Sequence, residues 1–272
     1  MTSKFRYEEF TWPEIREAVA QERVAVLPVG TVEQHGPHLP LVTDVLTASE
    51  MSRRAVEQIG GEAVLLPPVY YSFNEHHLDF PGTIAIQGET IVNYVTDIGL
   101  SLAHHGFRKV LLVNGHGSNV PFLDIAARNI TNRSEAICAM VSWWSLIPRP
   151  LLQELRESEF PGGMAHGCEL ETSVLLHLRP DLVQTDKAEK DISFQPTEFF
   201  YWDLQAPSPV FFQEWFSRYS RTGTVGDPTL ATADKGRQFV DAVVERLIAL
   251  IREFRERKIA PRVDHHGTTP RT

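Results

Sequence analysis

Lys109-Val110-Leu111-Leu112-Val113-Asn114 runs straight into Gly115-His116-Gly117-Ser118-Asn119. A short, nearly continuous apolar run that stops at glycines is the mark of a strand covered on both faces, as strands are in a parallel sheet between helices. Arg23-Val24-Ala25-Val26-Leu27-Pro28-Val29-Gly30 repeats the pattern. Helical spacing occupies 45–59 (closed by Gly60-Gly61), 89–105 (closed by Gly106), 120–132, 169–178 (Pro180 just beyond) and 230–254. Shorter strand-like stretches lie at 62–69, 83–86 and 135–143. This alternation predicts one α/β domain over 1–260, a three-layer α/β/α sandwich with a mostly parallel sheet. Residues 261–272, rich in Pro, Thr and Arg, are expected to form a disordered tail. In such sheets ligands collect at the carboxyl ends of the strands, which is where both buried runs deliver polar residues.

Composition narrows the function. The chain has 272 residues and 42% hydrophobic residues, enough to bury a large core, with no repeat or low-complexity linker between its motifs. Acidic residues outnumber basic ones by 35 to 26, and the basic patch from Arg252 to Lys258 is short, so little could neutralise a phosphate backbone; no nucleic-acid partner is expected. No window approaches the roughly 20 apolar residues of a membrane span, and the first ten residues lack the apolar core of a signal peptide. The expected location is cytoplasmic. Cys138 and Cys168 are not expected to form a disulfide in a reduced compartment.

After the first buried run, Glu33, His35, His38 and Asp44 crowd one turn-rich segment, Val32-Glu-Gln-His-Gly-Pro-His-Leu-Pro-Leu-Val-Thr-Asp44. Carboxylate oxygens and imidazole nitrogens together suit zinc, manganese or iron. A loop with glycine and prolines can aim neighbouring side chains at one place, whereas a strand alternates them. After the second run, His116 stands between two glycines. A third group is His166-Gly-Cys-Glu169-Leu-Glu171-Thr-Ser173, with both glutamates in the first turn of a predicted helix. Two positions apart on a helix point about 200° from each other, so one of Glu169 and Glu171 faces a common site and the other does not.

Glu-x-His-Gly-x-His-Leu-Pro-x-x-Thr-Asp at 33–44, Phe-Pro-Gly-Thr at 80–83, Asn-Gly-His-Gly at 114–117 and His-x-x-Glu-x-Glu-Thr-Ser at 166–173 together resemble the creatininase family of metal-dependent amidohydrolases. The likeness covers about 20–180 and continues less specifically through the last helix. It implies Glu33, His35, Asp44 and His116 as metal ligands, with Asp44 bridging two divalent ions, zinc first and manganese or iron as alternatives. Creatinine hydrolases carry a glutamate where this chain has Ser118. Relatives with a small residue there look as though they draw the ligand from the His-x-x-Glu helix, so Glu169 is assigned as the fifth ligand and creatinine is doubted as substrate. Two ions about 3.5–4 Å apart can hold a hydroxide between them and polarise a carbonyl. His166, not needed as a ligand, is assigned the proton transfer to the leaving nitrogen. The implied reaction is opening of a C–N bond in a small cyclic amide. The resemblance also admits a formamide deformylase or a peptidase.

Milder readings stand beside these. Glu169 could serve only to stabilise a helix start, and Glu171 could do that or orient a ligand. His38 could be a sixth ligand or a hydrogen-bonding support. His76 and His77 could pack or touch substrate; His77 is taken as substrate-binding. Trp143, at the end of a predicted strand, is taken as a pocket-closing residue, with a core or subunit-interface role as the alternative. His104, His105 and His177 sit near helix C-termini, where an imidazolium is favourable. The aromatic stretch 194–221, with Phe199-Phe-Tyr-Trp202 and Phe211-Phe-Gln-Glu-Trp-Phe216, suggests an insertion that lines the pocket or meets another copy of the chain. A closed homo-oligomer is expected, a ring-shaped hexamer by resemblance. A silent metal-binding assembly protein would need a coordinatively closed site, and a sugar-acid isomerase would give a mass-neutral product.

Overall fold

The computed structural model describes residues 4–206 and 208–266; of the tail, 267–272 lie outside the described residues and 261–266 form neither helix nor strand. In chain order the elements are α1 (Trp12–Ala20), β1 (Val24–Val29), α2 (Thr43–Ile59), β2 (Ala63–Leu65), α3 (Gly88–His104), β3 (Lys109–Asn114), α4 (Val120–Arg133), β4 (Ile137–Ser142), α5 (Arg149–Leu155), β5 (Met164–His166), α6 (Glu169–Leu178), β6 (Val225–Gly226) and α7 (Ala233–Glu256).

The central sheet is parallel throughout, in the order β2-β1-β3-β4. Its register sets Val29 beside Asn114 and Asn114 beside Ser142, so the two buried runs end level with each other. Alternation along β1 divides the core. Val24 and Val26 join one apolar cluster with Met51 and Val56 of α2, Leu170 of α6 and Phe239 to Ile251 of α7. Ala25, Leu27 and Val29 join a second with Ala18 of α1, Ile91 and Val95 of α3 and Leu123 of α4. Each face is thus closed by helices, as strands apolar on both sides require, and the expected three-layer α/β/α sandwich is what forms. β5 and β6 make a small antiparallel pair outside it.

Residues 83–86 do not form a strand. Ile84 makes one antiparallel bridge to Val32, in the loop beyond β1, so the segment has a loop rather than a sheet edge as partner. Trp143 takes the core placement that stood beside a pocket-closing role. The chain turns into a 3-10 helix at Trp143–Leu146, and the indole, 1% exposed, belongs to the cluster beneath α2 and α7. Among the described residues no helix is long and apolar enough to cross a membrane.

Candidate metal centre

Three loops at the carboxyl ends of β1 and β3 and at the start of α6 meet. The β1 loop carries Glu33 and His35, α2 carries Asp44 in its first turn, and the loop after β3 carries His116. Gly115 permits the approach: a Cβ there would lie 2.2 Å from the Asp44 carbonyl oxygen. From β5 and α6 come His166 and Glu171, and from the loop before α3 comes His77. All seven side chains are buried.

The histidines are set by what holds their far nitrogens. His35 Nδ1 lies 3.2 Å from the Glu33 carbonyl oxygen, and His116 Nε2 lies 3.1 Å from the Phe73 carbonyl oxygen. A carbonyl only accepts, so each ring donates there and turns its other nitrogen inward. His35 Nε2 then stands 3.0 Å from Asp44 Oδ1 and 3.8 Å from Glu171 Oε1. His116 Nδ1 stands 3.2 Å from both Glu33 Oε1 and Asp44 Oδ2. Asp44 faces both rings, one with each oxygen.

Both oxygens of Glu33 and Oδ2 of Asp44 are buried without a hydrogen-bond partner. Unpaired buried carboxylate oxygens are costly, and the field they create is visible in the neighbouring rings. Burial opposes a charge on His35, yet Asp44 above all, with Glu171 and Glu33, drives it up to about 9. His116 is likewise opposed by burial but pushed up to about 10 by Glu33 and Asp44. Burial raises Glu33 and Glu171, whereas the two rings hold Asp44 below the usual carboxylate range despite its burial. A field that keeps an extra proton on two buried imidazoles would hold a cation in place of those protons. Glu33/His35/Asp44 and His35/His166/Glu171 each bring ligand atoms within 4.8 Å of one another. Orphaned oxygens and inward lone pairs fit a divalent metal.

Glu169 is not in this group. Its carboxylate accepts from Lys235 Nζ at 2.6 Å, from the Ser158 N–H at 2.9 Å and from the Glu157 N–H at 3.1 Å, which holds its pKa low although burial opposes it. α6 starts with Glu169 turned toward α7 and the loop after α5, and the angle between alternate helical residues then sends Glu171 to the metal-type cluster. Of the two glutamates, it is Glu171 and not Glu169 whose carboxylate stands beside His35. Cys168 Sγ supports Glu171 Oε2 at 3.6 Å.

His38 lies outside the cluster, its Nε2 2.9 Å from Thr172 Oγ1. His76 Nε2 meets Ser118 Oγ at 3.1 Å. His166 and His77 both approach Glu33 Oε1 at 3.8 Å, and both titrate well below the ordinary histidine range, chiefly because of burial. Phe216 roofs them, its ring centroid 4.2 Å from that of His77 and 4.8 Å from that of His166. It is the inner residue of the aromatic stretch, packed with Phe194 and Trp202 over β5 and β6, while Phe199, Phe211 and Phe212 face outward. Sequence reasoning passed over Gln34, which touches both His77 and His166, because a glutamine between two ligands has no motif chemistry of its own. Phe216 carried a signal only as one aromatic among many.

The model of the family described as Creatininase: Creatinine amidohydrolase matches residues 8–251. The creatinine amidohydrolase of Pseudomonas putida is 32% identical over 90% of this chain and 95% of its own. A mycofactocin precursor peptide peptidase of Mycobacterium ulcerans is 33% identical over 89% of this chain and 85% of its own. A solved structure titled "Creatininase Mn" superposes with a TM-score of 0.77 at 31% identity, over 92% of this chain and 98% of that one. From the convergence of its carboxylates and imidazoles at the strand ends and from these matches, the chain belongs to the creatininase family of amidohydrolases.

Proposed function

We propose that this chain is a dinuclear metal-dependent hydrolase that opens the C–N bond of a small cyclic amide other than creatinine. Glu33 and His116 would hold one divalent ion, His35 and Glu171 the other, and Asp44 both. The observation that carries this is the pairing of two inward imidazole nitrogens with the partnerless oxygens of Glu33 and Asp44. Zinc and manganese both suit this mixed O/N donor set. When bound, such ions supply an activated water and polarise the carbonyl under attack.

The protein's own residues do the rest. His166 Nε2 donates to the Gln34 carbonyl oxygen at 2.7 Å, so Nδ1 faces the centre without a proton and can take one from the attacking water and pass it to the leaving nitrogen. Burial keeps the ring neutral and ready as a base. Phe216, itself buried, covers His77 and His166 from above. Ser118, engaged with His76, offers no carboxylate to the Glu33/His116 side, which separates this site from that of a creatinine hydrolase.

Screening the metal-loaded protein against small lactams, ureido compounds, formamides and creatinine tests this. The expected result is hydrolysis of a cyclic amide that chelation abolishes, with creatinine slow or inert. Cleavage of formamides or peptides alone would favour the deformylase or peptidase reading, and turnover that survives chelation would remove the metal from the account.

A further inference from the structure

Gln34 reaches His77 with its side-chain amide nitrogen, and reaches His166 with its backbone carbonyl oxygen at 2.7 Å and, at the longer distance of 3.2 Å, with that same amide nitrogen. Its side-chain Oε1 accepts from the Gly36 N–H at 2.9 Å, which fixes which end of the amide is oxygen. A backbone N–H can only donate, so the reversed amide would set donor against donor. The seat is cut for this end: a Cβ on residue 223 would lie 2.0 Å from Gln34 Oε1, and Gly223 has φ +87°. The NH2 end therefore points at His77 Nδ1, 2.9 Å away, and must donate to it. A neutral imidazole that accepts at Nδ1 carries its proton on Nε2. His77 Nε2 points to the Glu33 side of the centre, 3.8 Å from Glu33 Oε1, with no hydrogen-bond partner among the described residues.

The backbone of the same residue treats His166 the other way round. Its carbonyl takes the Nε2–H at 2.7 Å and leaves Nδ1 bare, 3.8 Å from the same Glu33 oxygen. The two rings, with centroids 4.7 Å apart, thus present opposite ends to one place: a lone pair from His166 and an N–H from His77.

Building on the hydrolase reading, we infer that Gln34 is a positioning residue that locks His77 as a hydrogen-bond donor to the carbonyl oxygen of the substrate. His77 Nε2, carrying a proton, is no metal ligand, although its distance to Glu33 and His166 would admit one. It meets the oxygen that gains negative charge as the carbonyl is attacked. Phe216, stacked on His77 at 4.2 Å, holds the ring plane in that orientation.

The test starts with the wild-type protein loaded with zinc and labelled with 15N-histidine, where NMR reads which nitrogen of each ring is protonated; His77→Phe assigns the signal. The lock predicts Nε2–H at His77, and Nδ1–H there would overturn it. Gln34→Met removes the donor and should mix the two His77 tautomers, lowering kcat by at least about 10-fold with KM and metal content little changed. His77→Phe should cost about 10²–10³ in kcat, the worth of one such donor, again with full metal. His77→Gln, which keeps an N–H, should recover part of the loss. Wild-type kcat in Gln34→Met, or loss of metal in His77→Phe, would overturn the assignment. Absence of hydrolysis by the wild type would remove the hydrolase reading, and the donor role with it, while the spectrum would still decide the lock.

Discussion

Glu169→Gln separates the two glutamates of α6 by what each supports. Glu169 is fully buried and takes Lys235 Nζ at 2.6 Å together with two backbone N–H groups. The amide keeps the shape but replaces one oxygen with a donor, facing groups that are all donors themselves. Breaking a buried ion pair by removing one partner costs about 3–5 kcal/mol. Lys235 retains the Glu157 carboxylate at 2.6 Å and the Leu230 carbonyl at 2.9 Å, which places the loss near the lower end, about 3 kcal/mol. At about 2–4 °C per kcal/mol for a chain of this size, Tm should fall by about 6–12 °C. Calorimetry on zinc-loaded protein reads the shift, and elemental analysis of the same samples should show unchanged metal. The depressed pKa of Glu169 sets the pH dependence: its contribution is present above the ordinary value of 4.5 and is lost as pH falls through the lower folded value. The gap between wild type and variant should therefore close in acid. Loss of metal with Tm unmoved would refute the reasoning and return Glu169 to the metal.

Three further outcomes follow from the same geometry. His35 and His116 are raised from 6.5 to about 9 and about 10 without metal, so their stabilising charge is complete below pH 6.5 and lost as pH climbs through those values. Chelated protein should lose thermal stability across that window while metal-loaded protein does not; equal slopes would contradict the cluster's electrostatics. His166→Ala should keep its metal and lose on the order of 10²–10⁴ in kcat, and full activity would move the proton transfer elsewhere. Phe199, Phe211, Phe212 and Trp215 are 58%, 71%, 56% and 42% exposed on one stretch of chain, so sedimentation velocity should find a closed homo-oligomer; a concentration-independent monomer would leave that surface without a role.

The sheet was legible because β1 and β3 are apolar without interruption, and no other arrangement covers both their faces. The bounds of α6 matched the reading at both ends, since Cys168 and Pro180 bracket a plain apolar spacing. Periodicity told that Glu169 and Glu171 face apart but not which one faces inward; that is decided by Lys235, far along the chain on α7. Trp143 was open to a pocket-closing or a core role because a strand end allows either, and the turn that follows β4 folds the indole under the helices. Helix α1 went unread despite its Thr11/Glu14 capping box, being only 9 residues long with Ala18 as its one buried residue. Gln34 could not be read at all, because its role exists only once His77 and His166 have been brought to it.

The most direct test of the central claim is anomalous diffraction at the zinc edge from crystals of protein purified without chelator. Two peaks per chain are predicted, one touching Glu33 and His116, the other His35 and Glu171, with Asp44 reaching both. No peak among these residues, or a peak held by Glu169, would contradict it.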